Sequence, residues 1–119
     1  MMDVNREHLL TISLDADNHL TVDSQTVTLT QLQQRVEQHI IRIHDEHILS
    51  LNVSRKANYD AYFQLQNTLV AAYNHIRNEY AIKKYGRSFR ECSYLEREDV
   101  AKYYPQRISE TVEVEENLE

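Results

Sequence analysis

This chain of 119 residues is poor in the residues that break, staple or decorate a fold: one glycine, one proline, one cysteine and no tryptophan. A lone glycine rules out a glycine-rich phosphate loop, which needs several residues without Cβ for the backbone to approach a phosphate. One cysteine, Cys92, rules out an internal disulfide and any multi-cysteine zinc cluster, and leaves the redox compartment open. No run approaches the ~20 apolar residues that span a bilayer, and the first residues lack the basic-then-apolar design of a secretion signal. A basic excess is missing too. Net charge is −6, with Glu110, Glu113, Glu115, Glu116 and Glu119 crowded at the C-terminus, so residues 1–109 carry 14 acidic and 13 basic side chains. That near balance gives no field for a phosphate backbone and argues against nucleic acid as a partner.

What remains is 41% hydrophobic and 27% charged, the composition of one globular domain rich in regular elements. Residues 10–15 and 19–23 alternate apolar and polar around Ala16-Asp17-Asn18, which predicts a β-hairpin with Ile12, Leu14, Leu20 and Val22 inward. Thr28 and Gln31 form a capping box before Leu29, Leu32, Val36, Ile40 and Ile43, a helical stripe ending near Asp45. Ile48 to Val53 reads as a third strand, and residues 54–58 as a loop. A long helix from Tyr59 carries Tyr62, Leu65, Leu69, Tyr73, Ile76 and Tyr80 on one side and ends at Gly86, a residue suited to a left-handed C-cap. Ser93 and Glu96 open a short helix that stops before Pro105, and Arg107 to Glu110 form a last strand. The order β-β-α-β-α-α-β predicts an α+β fold, a two-layer sandwich with two main helices on one face of a small mixed sheet. Residues 10–110 are its expected extent, with 1–9 a leader or added residues and 111–119 an acidic, partly disordered tail.

The reactive residue types are read as structural. His44-Asp45-Glu46-His47, with Glu37 and His39 nearby, lacks the spacing of zinc proteases and reads as a solvated helix end, where His44 also suits the helix dipole. His8, His19 and His75 read as surface residues. Lys83, Lys84, Arg87 and Arg90 among Tyr80, Tyr85 and Phe89 read as a charge-paired helix surface, because Glu79, Glu91, Glu96, Glu98 and Asp99 surround them. The tyrosines at 62, 73 and 80 keep helical spacing with leucines and read as core. Cys92 has no activating neighbour. No catalytic residue, metal site or cofactor is expected.

The serial motifs resemble those of the ExbD/TolR family of biopolymer transport proteins. Residues 12–23 (Ile-Ser-Leu-Asp-Ala-Asp-Asn-His-Leu-Thr-Val-Asp), Val27-Thr28-Leu29 opening a helix and Ile48-Leu49-Ser50-Leu51 follow the family's order. Residues 68–74, Lys84-Tyr85-Gly86 and Tyr104 to Glu110 resemble a branch with an extended C-terminal half. The resemblance implies a non-enzymatic periplasmic domain, tethered to the inner membrane by an N-terminal helix not present in this chain. Its implied partners are ExbB-like and TonB-like proteins, in a system that energises outer-membrane nutrient import. The alternatives are a TolR-like domain that binds peptidoglycan, an enzyme lacking a recognisable constellation, and a cytosolic adaptor. The stretch from Asn78 to Tyr104 departs from shorter members. Exposed sheet edges invite homodimerisation and addition of a partner strand, placing contacts at Leu20, Val22, Ser50, Asn52, Ser54, Arg55 and Tyr59.

Overall fold

The computed structural model describes residues 6–113. The first part of the expected leader, 1–5, and the end of the expected acidic tail, 114–119, lie outside the described residues. A 3₁₀ turn, Arg6–His8, leads into β1 (Leu9–Leu14), β2 (Leu20–Val22), β3 (Gln25–Thr26), α1 (Leu29–Ile43), β4 (Ile48–Ser54), α2 (Tyr59–Tyr85), α3 (Tyr94–Tyr103) and β5 (Ile108–Glu113). The sheet order is β3-β2-β1-β4-β5. β1 pairs antiparallel with β2, and β4 runs parallel to both β1 and β5, so the sheet is mixed as expected. Parallel neighbours need long crossovers, and here α1 joins β1–β3 to β4 while α2 and α3 join β4 to β5.

Local chemistry sets the turns. Oδ1 of Asp15 accepts the N–H groups of Asp17 (2.9 Å) and His19 (2.8 Å), closing the hairpin turn, while Asn18 takes the left-handed conformation that asparagine tolerates. The backbone donor at His19, more than any other group, holds the Asp15 carboxyl below its ordinary value. Asp23 and Ser24 both have positive φ, the signature of a two-residue hairpin turn, and they fold Gln25 and Thr26 back onto β2. This strand was missed in the sequence because Asp-Ser lacks the glycine that usually marks such a turn. Both bonds of the Thr28/Gln31 capping box are present (3.1 and 2.9 Å), as are both of the Ser93/Glu96 box (3.2 and 2.8 Å). Gly86 has φ 71° and its N–H reaches the Ile82 carbonyl at 2.9 Å, the left-handed C-cap expected of it.

Period-two alternation sends Leu10, Ile12, Leu14, Leu49, Leu51 and Val53 into the core, where Leu32, Val36 and Ile40 of α1 and Leu65, Leu69, Tyr73 and Ile76 of α2 cover them. The opposite face carries Thr11, Ser13, Ser50 and Asn52, half-buried and polar. Such a face needs no second layer. Leu20, expected inside, is only half-buried. The last strand runs three residues past the predicted Glu110, because Thr111, Val112 and Glu113 keep pairing with Asn52, Val53 and Ser54.

The seven residues of β4 span about 23 Å, whereas the 27 residues of α2 span about 40 Å. The helix therefore outruns the sheet. Its overhang folds against the 3₁₀ turn Phe89–Glu91 and α3, around a small second core of Ala81, Cys92 and Val100.

Candidate functional site

Strand order decides which backbone can accept a partner. Among the described residues, β3 and β5 are the strands bonded on one side only. β4 lies between β1 and β5, so the edge role expected for Ser50, Asn52 and Ser54 is corrected. Ser50 and Asn52 have strand neighbours on both sides and project from the polar sheet face instead, and Ser54 pairs with Glu113 of β5. β2 is likewise interior. Val22 is fully buried opposite Ile12, and the Leu20 carbonyl already accepts the N–H of Val27 at 3.1 Å. Arg55 sits exposed in the loop after β4, and Tyr59 is 78% exposed at the start of α2, its ring stacked on Phe63 at 6.2 Å. The seven residues therefore do not converge on one surface. An antiparallel hairpin and two similar apolar runs cannot tell edge from centre, because the distinction depends on where residues 108–113 pair.

The structure does bring Leu20 to a cleft that no local pattern announces. A cavity of about 520 Å³ opens between the β2–β3 edge and the first turns of α1 and α2. Its floor is apolar, with Leu14, Leu20, Val27, Leu29 and Leu65, and Asn18, His19, Asn58 and Asp60 stand at its exposed rim. Asn58 ties the rim together: its N–H donates to Oδ1 of Asn18 at 2.6 Å, and its own Oδ1 accepts the Asp60 N–H at 2.7 Å, capping α2. The six residues of β5 form the longer free edge. Ile108 and Val112 there are 38% and 51% exposed, and Glu110 accepts from the Tyr62 hydroxyl at 2.8 Å and from Gln66 at 3.0 Å.

The histidine cluster differs from its sequence reading. His47 is fully buried, not solvated, and both its ring nitrogens are engaged, by the His44 carbonyl and the Tyr73 hydroxyl, each at 2.6 Å. Burial holds its pKa below the ordinary imidazole value. His39 is buried on α1, its Nε2 2.8 Å from the His8 carbonyl, and burial lowers its pKa as well. Of the two rings, His47 alone has both nitrogens engaged. His75 is the surface residue expected, clasped between Glu37 (2.7 Å) and Glu79 (2.9 Å); the Glu37 hydrogen bond is the main reason its pKa is raised. Asp15, Asp17 and His19 come close enough to share an ion, but all three are exposed and Asp15 is occupied with its own turn. Cys92 is buried against Ala81 and Val100, its Sγ 4.0 Å from the Arg87 carbonyl. Two members of the basic cluster are paired with carboxylates, Lys84 with Asp99 at 2.6 Å and Arg87 with Glu96.

Residues 3–78, more than half of the chain, match the family described as biopolymer transport protein ExbD/TolR. The chain belongs to the ExbD/TolR family. Comparison with curated proteins returned no match. Membership carries an accessory role in biopolymer transport, in a family of non-enzymatic, envelope-associated proteins. The matched span takes in β1 to β4, α1 and the first part of α2, and so includes every residue of the cleft. The end of α2, α3 and β5 lie beyond it. No helix among the described residues is long and apolar enough to cross a membrane.

Proposed function

We infer that this ExbD/TolR member is an ExbD-like periplasmic domain that engages a TonB-like partner and helps couple inner-membrane proton energy to outer-membrane nutrient import. Its attachment to the inner membrane and its work beside an ExbB-like protein belong to the same reading. The observation that carries it is the pairing of a free strand edge with an apolar cleft at β3. An extended segment added to residues 25–27 gains backbone hydrogen bonds and sinks an apolar side chain between Leu20, Val27 and Leu29, with Asp60 at the rim for a flanking cation. β5 serves the second association, a homodimer, because its six-residue edge presents Ile108 and Val112 for isologous pairing.

The test is a titration of the labelled domain with the periplasmic segment of a TonB-like protein, followed by NMR. Amide shifts centred on Thr26, Val27 and Leu20 are expected, and Leu20→Asp should weaken binding at least tenfold. Shifts confined to the polar sheet face would sink the cleft as the docking place. Binding to purified cell wall, with no response to the peptide, would replace the reading with a TolR-like one.

A further inference from the structure

The approach to β5 is tied down at several points. The N–H of Arg107 donates to the Tyr73 hydroxyl (3.1 Å), its carbonyl accepts the N–H of Leu49 (2.9 Å), and its Nη1 donates to the Asp45 carbonyl (3.2 Å). Nε of Arg77 holds the Tyr104 carbonyl at 2.9 Å. Tyr73 is the hub. Its hydroxyl accepts from Arg107 and passes its own hydrogen to Nε2 of His47, 2.6 Å away. The partners fix the tautomer: Nδ1 of His47 faces the His44 carbonyl, which only accepts, so Nδ1 carries the proton and Nε2 is the acceptor. Three segments far apart in sequence thus meet in one satisfied chain of hydrogen bonds.

That chain works in one protonation state only. A second proton on His47 must go to Nε2, where it turns an acceptor into a donor aimed at the Tyr73 oxygen. The Tyr73 hydrogen then loses its acceptor in a fully buried position. The surroundings do not offset this. His39 of α1 and the Arg107 cation disfavour charge on the ring, the nearby Asp45 carboxylate favours it, and Tyr73 and Arg77 of α2 add a neutral and a cationic group. Tyr104 lies over the His44 ring and adds no charge at neutral pH. Desolvation is the largest influence on His47.

We propose that His47, Tyr73 and Arg107 form an acid-released latch on β5, which holds the strand to the sheet edge while His47 is neutral and lets it go when His47 is protonated. The direction follows from linkage. A group whose folded pKa is depressed contributes its full stability above about pH 6.5 and loses it as pH falls toward the folded value. Release would uncover the β4 edge and dissolve the surface assigned above to the homodimer. That consequence rests on the functional reading; the latch does not.

Hydrogen exchange of the intact chain, corrected for intrinsic rates, tests it. Between about pH 7.5 and about pH 4.5, protection of residues 109–112 should fall about tenfold more than that of the β1–β2 hairpin, the order of effect of leaving one buried hydrogen-bond donor without its acceptor. The midpoint must coincide with the titration of the His47 ring followed by NMR. Glu110 also anchors β5 through Tyr62 and Gln66, so Glu110→Gln serves as the control and should keep the response. His47→Gln should abolish it, and Tyr73→Phe should show the acid level of protection already at neutral pH. Equal behaviour of β5 and the hairpin in the unsubstituted protein, or an acid response that survives in His47→Gln or disappears in Glu110→Gln, would overturn the latch. A latch that opens while sedimentation shows unchanged association would instead remove β5 from the dimer.

Discussion

The sheet end and the overhang of this molecule are stabilised by different means. Around the sheet, side chains such as Ile12, Leu32, Val36, Ile40, Leu51 and Leu69 are wholly removed from water, and their burial carries the free energy. The overhang has only Ala81, Cys92 and Val100 inside. It relies instead on short-range polar contacts: two capping boxes, at Ser88/Glu91 and Ser93/Glu96, the Lys84 and Tyr85 contacts with Asp99, and the Arg87 pair with Glu96. Tyr80 and Tyr103, stacked at 4.1 Å, join the two regions. Apolar burial makes a region cooperative, whereas exposed caps and ion pairs each add little and open locally. The overhang should therefore fray before the sheet unfolds.

The largest effect expected from this contrast is at Leu69. Leu69→Ala should cost about 2 to 5 kcal/mol, because truncation leaves a cavity where α2 meets the sheet. Val100→Ala removes two carbons from the small core and should cost about 1.5 kcal/mol. Urea unfolding followed at both regions measures the pair, and equal losses would show that the overhang is as cooperative as the sheet. Next comes Ser93→Ala, which deletes the α3 cap and should cost about 1 kcal/mol. Its mark should be faster exchange of α3 amides with the β1–β4 amides unchanged; a uniform rise across both would erase the distinction.

The smallest effect is at His75, which bridges α1 and α2 beside the sheet and is half exposed. Its pKa is raised, above all by Glu37, so its stabilisation is complete below about pH 6.5 and fades as pH rises through the folded value. Denaturation midpoints of the His75→Ala variant should therefore fall below those of the unsubstituted protein at mildly acid pH and converge with them at alkaline pH. Convergence on the acid side would reverse the assigned sign. The opposite directions at His75 and His47 arise from surroundings alone, since one ring lies between two carboxylates and the other is buried, where desolvation outweighs the nearby Asp45 carboxylate.

Most elements were legible because their determinants are neighbours in sequence. Thr28 with Gln31, Ser93 with Glu96, Gly86 after Tyr85 and the spacing of Leu65, Leu69, Tyr73 and Ile76 are all read within a turn or two of chain, and the structure keeps each. The surface end of the His44–His47 motif was misread for the complementary reason. Polarity along the chain predicts exposure only when no distant group satisfies the side chain, and Tyr73, 26 residues away, satisfies His47. The edge position expected for Ser50 and Asn52 failed in the same way. Alternation shows which face of a strand is buried but not which strand lies beside it, so Ser50 and Asn52 were placed on an edge that β5 occupies.

By itself the sequence determined the α+β class, most helix limits and inward faces and the absence of a membrane-length apolar run, which follow from composition and from patterns with periods of two and 3.6 residues, and its serial motifs carried the resemblance to the family. Only the tertiary structure decided the sheet order, and with it the two free edges, the cleft under Leu20 and Val27, and the burial of His47. These depend on closing loops of tens of residues. Long-range pairing is selected by the total surface buried and by the hydrogen bonds satisfied across the whole chain, and no local window contains that sum.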